Sequence, residues 1–144
     1  MATTTWTAET TPDKVWDVLS DGWLFPLWVV GACRIRGVDD AWPAPGARLH
    51  HSVGLWPVLL DDHTEVISCQ PGDSLELQAR AWPLGEARVL LRLRPTDGGT
   101  EIELQEDVTD GPGTALPKPL RAGALHWRNK ETLRRLAMLA EGRS

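Results

Sequence analysis

Tyrosine is absent from this 144-residue chain, phenylalanine occurs once, and there are only two cysteines. Cys33 and Cys69 are too few for a disulfide framework and lack the spacing of a zinc clip. Basic residues are also scarce: 15 Lys and Arg against 20 Asp and Glu give a formal charge of -5. A duplex binder needs clustered cations to displace condensed counterions, and no Lys/Arg run here exceeds a pair. Nucleic acid and an anionic membrane surface are therefore not expected partners. No apolar run approaches the roughly 18 residues that cross a bilayer. MATTTWTAET has neither the basic nor the apolar region of a secretory signal. These absences predict a reduced, cytoplasmic protein with no membrane span, whose length suits one domain over residues 1–144.

The usual catalytic signatures are missing as well. There is no GxSxG elbow, no GxGxxG or Walker pattern, no HExxH and no paired CxxC, so no cofactor is expected. Gly98-Gly99 belongs to a turn, PTDGGT.

What the chain has in excess is tryptophan, eight residues in all. Indoles fill cores and cap their rims, and they also line apolar pockets, where each offers one donor. Trp28, Trp56 and Trp82 fall at strand ends or loops and are candidate pocket residues. Trp16 is expected to be buried for packing alone.

TTTWTAET is rich in β-branched residues and reads as a first strand. In TPDKVWDVLSD, Thr11 stands at the N-cap, Pro12 at N1 and Asp13 in the first turn, with Val15, Trp16 and Leu19 at helical spacing. Gly22 ends that helix. WLFPLWVVG, with Pro26 inside it, predicts a second short helical piece or a turn. From Cys33 the period changes to two: ACRIRGV, GARLHHSVG, LDDHTEVISC, DSLELQARAW, GEARVLLRLR and TEIELQEDV. Turn signals such as DDAWPAPG, QPGD and PTDGG separate them, which predicts a meander of antiparallel hairpins. A Leu/Ala/Arg/Glu-rich segment from about Ala115 to Glu141 predicts a long closing helix.

Alternation identifies the dry face of the sheet. Val89, Leu91 and Leu93 oppose Arg88, Arg92 and Arg94, and Leu75, Leu77, Ala79 and Ala81 oppose Glu76, Gln78 and Arg80. Leu77 and Leu91 are thus candidate ligand-facing residues.

Residues 49 to 65, LHHSVGLWPVLLDDHTE, hold three of the four histidines. Neighbouring strand residues point to opposite faces, so His50 and His51 cannot converge on one metal. Leu49, His51 and Val53 share the apolar side; Arg48, His50 and Ser52 share the wet one. The facing of His63 is ambiguous, because both alternating sets of its strand are mixed. No three convergent ligands can be assembled, so no metal is expected.

Glu106 has the apolar parity of Ile102, Leu104 and Val108. A carboxylate there is costly unless it is paired or wetted by a cavity. Either it lies partly exposed near the strand end or ties to an arginine, or it is a pocket acid or base or a ligand hydrogen-bond partner. On the last helix, Ala122, His126, Asn129, Leu133, Ala137 and Ala140 form one stripe. His126 and Asn129 are polar positions on it, which either roof a cavity or satisfy backbone groups in nearby loops.

The stretches TPDKVWDVLSD, GARLHHSVGLWP, ISCQPGDSLEL, GGTEIELQEDVTDGPG and HWRNKETLRRLAMLAE resemble a bacterial branch of the START/birch-allergen-like helix-grip superfamily (SRPBCC, polyketide cyclase/dehydrase-like). The resemblance covers essentially the whole chain. It implies an α+β helix-grip fold: two short helices after strand 1, and a seven-stranded curved antiparallel sheet wrapped around the C-terminal helix, with an apolar cavity between them. It also implies hydrophobic-ligand binding, for a lipid, an isoprenoid or a polyketide-like aromatic. An aromatase/cyclase or dehydratase-type enzyme is the alternative, with Glu106 abstracting a proton while His51 or His126 holds an enolate. The absence of Tyr and the outward arginines weigh against that alternative. Docking on another protein is a third possibility, through an exposed apolar patch. The expected ligand-binding residues are His51, Asn129, Trp28, Trp56, Trp82, Leu77 and Leu91, with Glu106 and His126 as the candidate catalytic pair. Enzyme and carrier, monomer and homodimer all stay open.

Overall fold

The computed structural model describes residues 2–29, 32–55, 58–81, 85–115 and 118–142. Strand β1 (Ala2–Ala8) leads to helix α1 (Pro12–Leu19), a 3-10 turn (Gly22–Leu24) and the short helix α2 (Phe25–Trp28). Six strands follow: β2 (Ala32–Val38), β3 (Arg48–Leu55), β4 (Val58–Gln70), β5 (Ser74–Ala81), β6 (Gly85–Thr96) and β7 (Gly99–Asp110). A 3-10 turn (Pro112–Ala115) then precedes helix α3 (Lys118–Glu141). All seven strands pair antiparallel in the order β1-β7-β6-β5-β4-β3-β2. This is the α+β helix-grip arrangement.

Local chemistry accounts for the boundaries. Thr11 caps α1 with extended backbone but without a side-chain bond, and its carbonyl accepts the N–H groups of Lys14 and Val15. Pro12 occupies a position where a missing N–H costs nothing. The Gln70–Asp73 turn closes with Asp73 N–H donating to the Gln70 carbonyl at 2.9 Å, and Gly72 supplies the required φ of +78°. Pro71 before it completes the chemistry of a type II turn. Irregular register at β2/β3, β4/β5 and β6/β7 marks bulges, which increase twist and bend the sheet.

The predicted dry face is the inner one. Leu75, Leu77, Leu91, Leu93, Ile102 and Leu104 are buried, while Arg88, Arg92 and Arg94 are exposed. Thr64 and Val66 resolve the facing of β4: both are buried, so His63 lies opposite His50 on the outer side. Ser52 departs from expectation. It has the wet parity yet is buried, its hydroxyl donating to Asp61 Oδ1 at 2.6 Å. Trp16 is half-buried against the core where full burial was expected. Trp42, in the DDAWPAPG loop, is buried instead, and its indole N–H donates to the Leu19 carbonyl.

Helix α3 begins at Lys118, three residues later than the composition suggested, because Pro112–Ala115 forms a separate 3-10 turn. Its C-terminal half carries the buried stripe: Asn129, Thr132, Leu133, Leu136, Ala137 and Ala140. The helix packs mainly on β1, α1 and α2 and only lightly on β7. At its end the Glu141 carboxylate accepts the Glu9 N–H at 2.8 Å. A helix seated on one edge of a bent sheet and on two short helices leaves the middle of the concave face incompletely filled.

Candidate functional site

That incomplete filling is a cavity of about 90 Å³. Sheet residues Leu77, Ala79, Val89, Leu104 and Glu106 form one wall, Phe25, Trp28 and Val29 a second, and Arg128, Asn129 and Thr132 of α3 the third. Its lining is mostly apolar, with polar groups at Arg128, Asn129 and Thr132 on the helix side and at Glu106 on the sheet. That is the usual composition of a small-molecule site.

Glu106 is the charged member of the sheet wall. Strand alternation carries it inward, and its side chain is 5% exposed. Arg128 Nη2 donates to Glu106 Oε1, so the buried carboxylate is paired. The same Nη2 lies 3.5 Å from Asn129 Oδ1. This contact turns the carbonyl end of the Asn129 amide toward the guanidinium and its NH2 end away.

Two wall residues carry donors without acceptors. Trp28 and Asn129 are both nearly fully buried, and neither Trp28 Nε1 nor Asn129 Nδ2 has a hydrogen-bond partner among the described residues. Buried orphan donors are uncommon and costly, on the order of 1–3 kcal/mol each. Trp28 is held by an edge-to-face contact with Phe25, ring centroids 5.2 Å apart.

His51 is buried, as its parity predicts, but it does not line the cavity. Its ring lies parallel to that of Phe25 with centroids 6.3 Å apart. His51 Nε2 is 2.9 Å from Thr64 Oγ1, and Nδ1 has no partner among the described residues. Burial pushes its pKa below the usual imidazole range, against the opposing pull of Asp62 on the facing position of β4. It is therefore neutral at pH 7. Burial also lowers His63, helped by Arg48 and Arg80.

His126 stands apart from this group. It is exposed, and its Nδ1 is 3.2 Å from Thr4 Oγ1 on β1. The stripe that buries Asn129 and Leu133 continues over the edge strand at this point, so His126 meets the sheet margin and not the cavity. Leu77 lines the cavity, whereas Leu91 is fully buried in the core and is not a lining residue. Trp56 and Trp82 lie outside the described residues, as do the side chains of Cys33, Val53, Ala81 and Ala122. Among the described residues no group of three or more His, Cys, Asp or Glu could hold a metal ion. No described helix is long and apolar enough to cross a membrane. Burial raises the pKa of the half-buried Cys69 thiol, which makes it a poor nucleophile.

Sequence reasoning missed Phe25, Val29, Arg128 and Thr132. The signal for Arg128 was present: an inward carboxylate demands a cation, and α3 supplies one beside Asn129. Phe25 had no such signal, because WLFPLWVV is apolar at nearly every position and shows no period.

The sequence pattern of the family described as "Polyketide cyclase / dehydrase and lipid transport" matches residues 2–141. The chain belongs to this family. Solved structures agree on the fold at low identity. Protein CV1439 from Chromobacterium violaceum superposes with a TM-score of 0.73 at 16% identity, covering 98% of this chain and 97% of that one. Protein MLL2253 from Mesorhizobium loti gives 0.70 at 20% identity, covering 99% and 98%. The di-domain ARO/CYC StfQ from the steffimycin biosynthetic pathway gives 0.73 at 16% identity, over 96% of this chain and 49% of that one. No curated protein matches the chain. At the level of this polyketide cyclase/dehydrase and lipid transport family, the expected activity is hydrophobic-ligand binding or cyclase chemistry.

Proposed function

We propose that the protein binds a small hydrophobic molecule, of lipid, isoprenoid or polyketide type, in the cavity between the sheet and α3. The observation that carries this reading is an apolar hollow whose wall includes two buried, unpartnered donors, Trp28 Nε1 and Asn129 Nδ2. A packed core would have no use for either. At about 90 Å³ the hollow is larger than one water needs but smaller than the roughly 300–1,000 Å³ of drug-sized sites. It suits one end of a hydrophobic molecule. Membership of a family that includes lipid transport supports the same reading.

An enzymatic reading on the same ligand has one observation in its favour, the ionised-type pair Glu106–Arg128 in the cavity wall. In that pair Glu106 Oε1 is already engaged by Arg128 Nη2. Binding is therefore the first role, and turnover a second.

Thermal denaturation with a panel of apolar compounds tests the proposal. Binding is supported if at least one class raises Tm of the wild type and of Glu106→Gln alike. Turnover of a compound that Glu106→Gln binds but leaves unchanged would favour the enzyme. A Tm unmoved by every apolar compound, in protein that elutes with a partner, would favour a docking role instead.

A further inference from the structure

We infer that Trp28 and Asn129 form a two-donor clip that selects ligands presenting an uncharged carbonyl oxygen at the buried end. The inference rests on the cavity being a ligand site, and adds to it which chemical group the site recognises.

Both donors belong to the wall of one cavity, on facing elements: Trp28 on α2 and Asn129 on α3. Each side chain is 97% or more buried, with relative exposures of 3% and 2%. Neither orphan atom can act as an acceptor. An indole N–H only donates, and the contact of Arg128 with Asn129 Oδ1 occupies the amide's accepting end and leaves its NH2 toward the unpartnered side. The group that completes both is an acceptor with two lone pairs, which describes a carbonyl oxygen. A hydroxyl would accept as well, but its own proton then needs an acceptor, for which the described wall offers Glu106, already bonded to Arg128, and Thr132. A hydrocarbon would leave both donors unpaired.

Charge separates a ketone or ester from a carboxylate. Among the described residues the one cation of the cavity wall, Arg128, already pairs with Glu106. A ligand carboxylate would be buried between two neutral donors and a neutralised ion pair, and it would lie near the Glu106 carboxylate. Desolvation and like-charge repulsion both oppose it. Arg128 is in this account a positioning residue, which sets the orientation of Asn129 and does not itself hold the ligand oxygen. His51 Nδ1 is also unpartnered, but His51 is not in the wall and is no part of the clip.

Four probes of similar shape test the inference by titration in native mass spectrometry: 2-decanone, its isostere 2-methyl-1-decene, 2-decanol and decanoate. The ketone is expected to bind about tenfold or more tightly than the alkene, since the alkene leaves buried donors unsatisfied. It should also bind more tightly than the alcohol and the carboxylate. Trp28→Phe and, separately, Asn129→Leu should each bring the ketone-to-alkene ratio close to one. Two variants on different helices guard against misfolding, and circular dichroism of each confirms the native fold. Equal binding of ketone and alkene to the wild type would overturn the clip while leaving the cavity reading intact. Preferred binding of decanoate would overturn the claim of an uncharged oxygen. If none of the four binds, the underlying ligand site fails and the clip fails with it.

Discussion

Arg128 of α3 and Glu106 of β7 are bonded across the cavity wall, and they differ sharply in exposure: 38% for the arginine side chain and 5% for the carboxylate. The strand fixes the carboxylate inside, so the cation must come to it. The arginine reaches in from the wetter side and in passing orients Asn129.

Removing the arginine is therefore worse than neutralising the acid. Arg128→Met leaves a buried carboxylate without its cation and is expected to lower stability by about 2 kcal/mol, below the fully buried case because the arginine is partly exposed. Glu106→Gln keeps an acceptor for Arg128 at nearly the same volume and should cost about 1 kcal/mol or less. Urea denaturation midpoints of the two variants give the comparison. A larger loss for Glu106→Gln than for Arg128→Met would contradict it.

Acid should destabilise the protein in two stages. His51 and His63 have folded-state pKa values below the ordinary 6.5, chiefly through burial. The unfolded chain therefore takes up protons near 6.5 while the folded chain still resists. Stability is fully present above about pH 6.5 and declines as pH falls below it. A second decline belongs to carboxylates held low. Asp39 is lowered by the Arg48 backbone N–H and by His50, and Glu131 is brought to about 2 by Arg134 and then Arg135. Their contributions are present above the ordinary carboxylate values, 3.8 and 4.5, and vanish as pH drops through the folded ones. Denaturation at pH 7.5 and 5.5 isolates the histidine stage, and in His51→Gln the difference between those two values should shrink. An unchanged difference would show that His51 is not buried neutral.

The hairpin between β6 and β7 contains a matched pair of glycines with opposite tolerance. A Cβ on Gly99 would stand 1.9 Å from the Ala8 carbonyl oxygen, whereas one on Gly98 meets nothing within 4 Å. Gly99→Ala must push β1 away from β7 and is expected to cost roughly 3 kcal/mol or more. Gly98→Ala should stay within about 0.5 kcal/mol of the wild type. Thermal melts of the two variants distinguish them, and equal Tm values would refute the close approach.

The sheet was readable in the sequence because a period of two has few competing explanations. Even-numbered residues from Thr100 to Glu106 are all buried and their neighbours are not, and β5 and β6 repeat the pattern. This parity also placed His51 and Glu106 inside. Asn129 followed from helical spacing, and His126 did not, because the period gives the direction of a side chain but not what lies beneath it. The Phe25–Trp28 wall was illegible for a related reason: a run that is apolar throughout carries no directional signal. Ser52 is the exception to parity: it is buried on the wet side, where its hydroxyl donates to Asp61 Oδ1.

The most direct test is native mass spectrometry of protein purified from its own host, beside the variant Ala79→Phe, which places a ring in the cavity. The account predicts that the wild type carries a retained apolar molecule and that Ala79→Phe, folded normally, does not. A bare polypeptide mass for both proteins, or the same adduct retained by both, would contradict a ligand site between the sheet and α3.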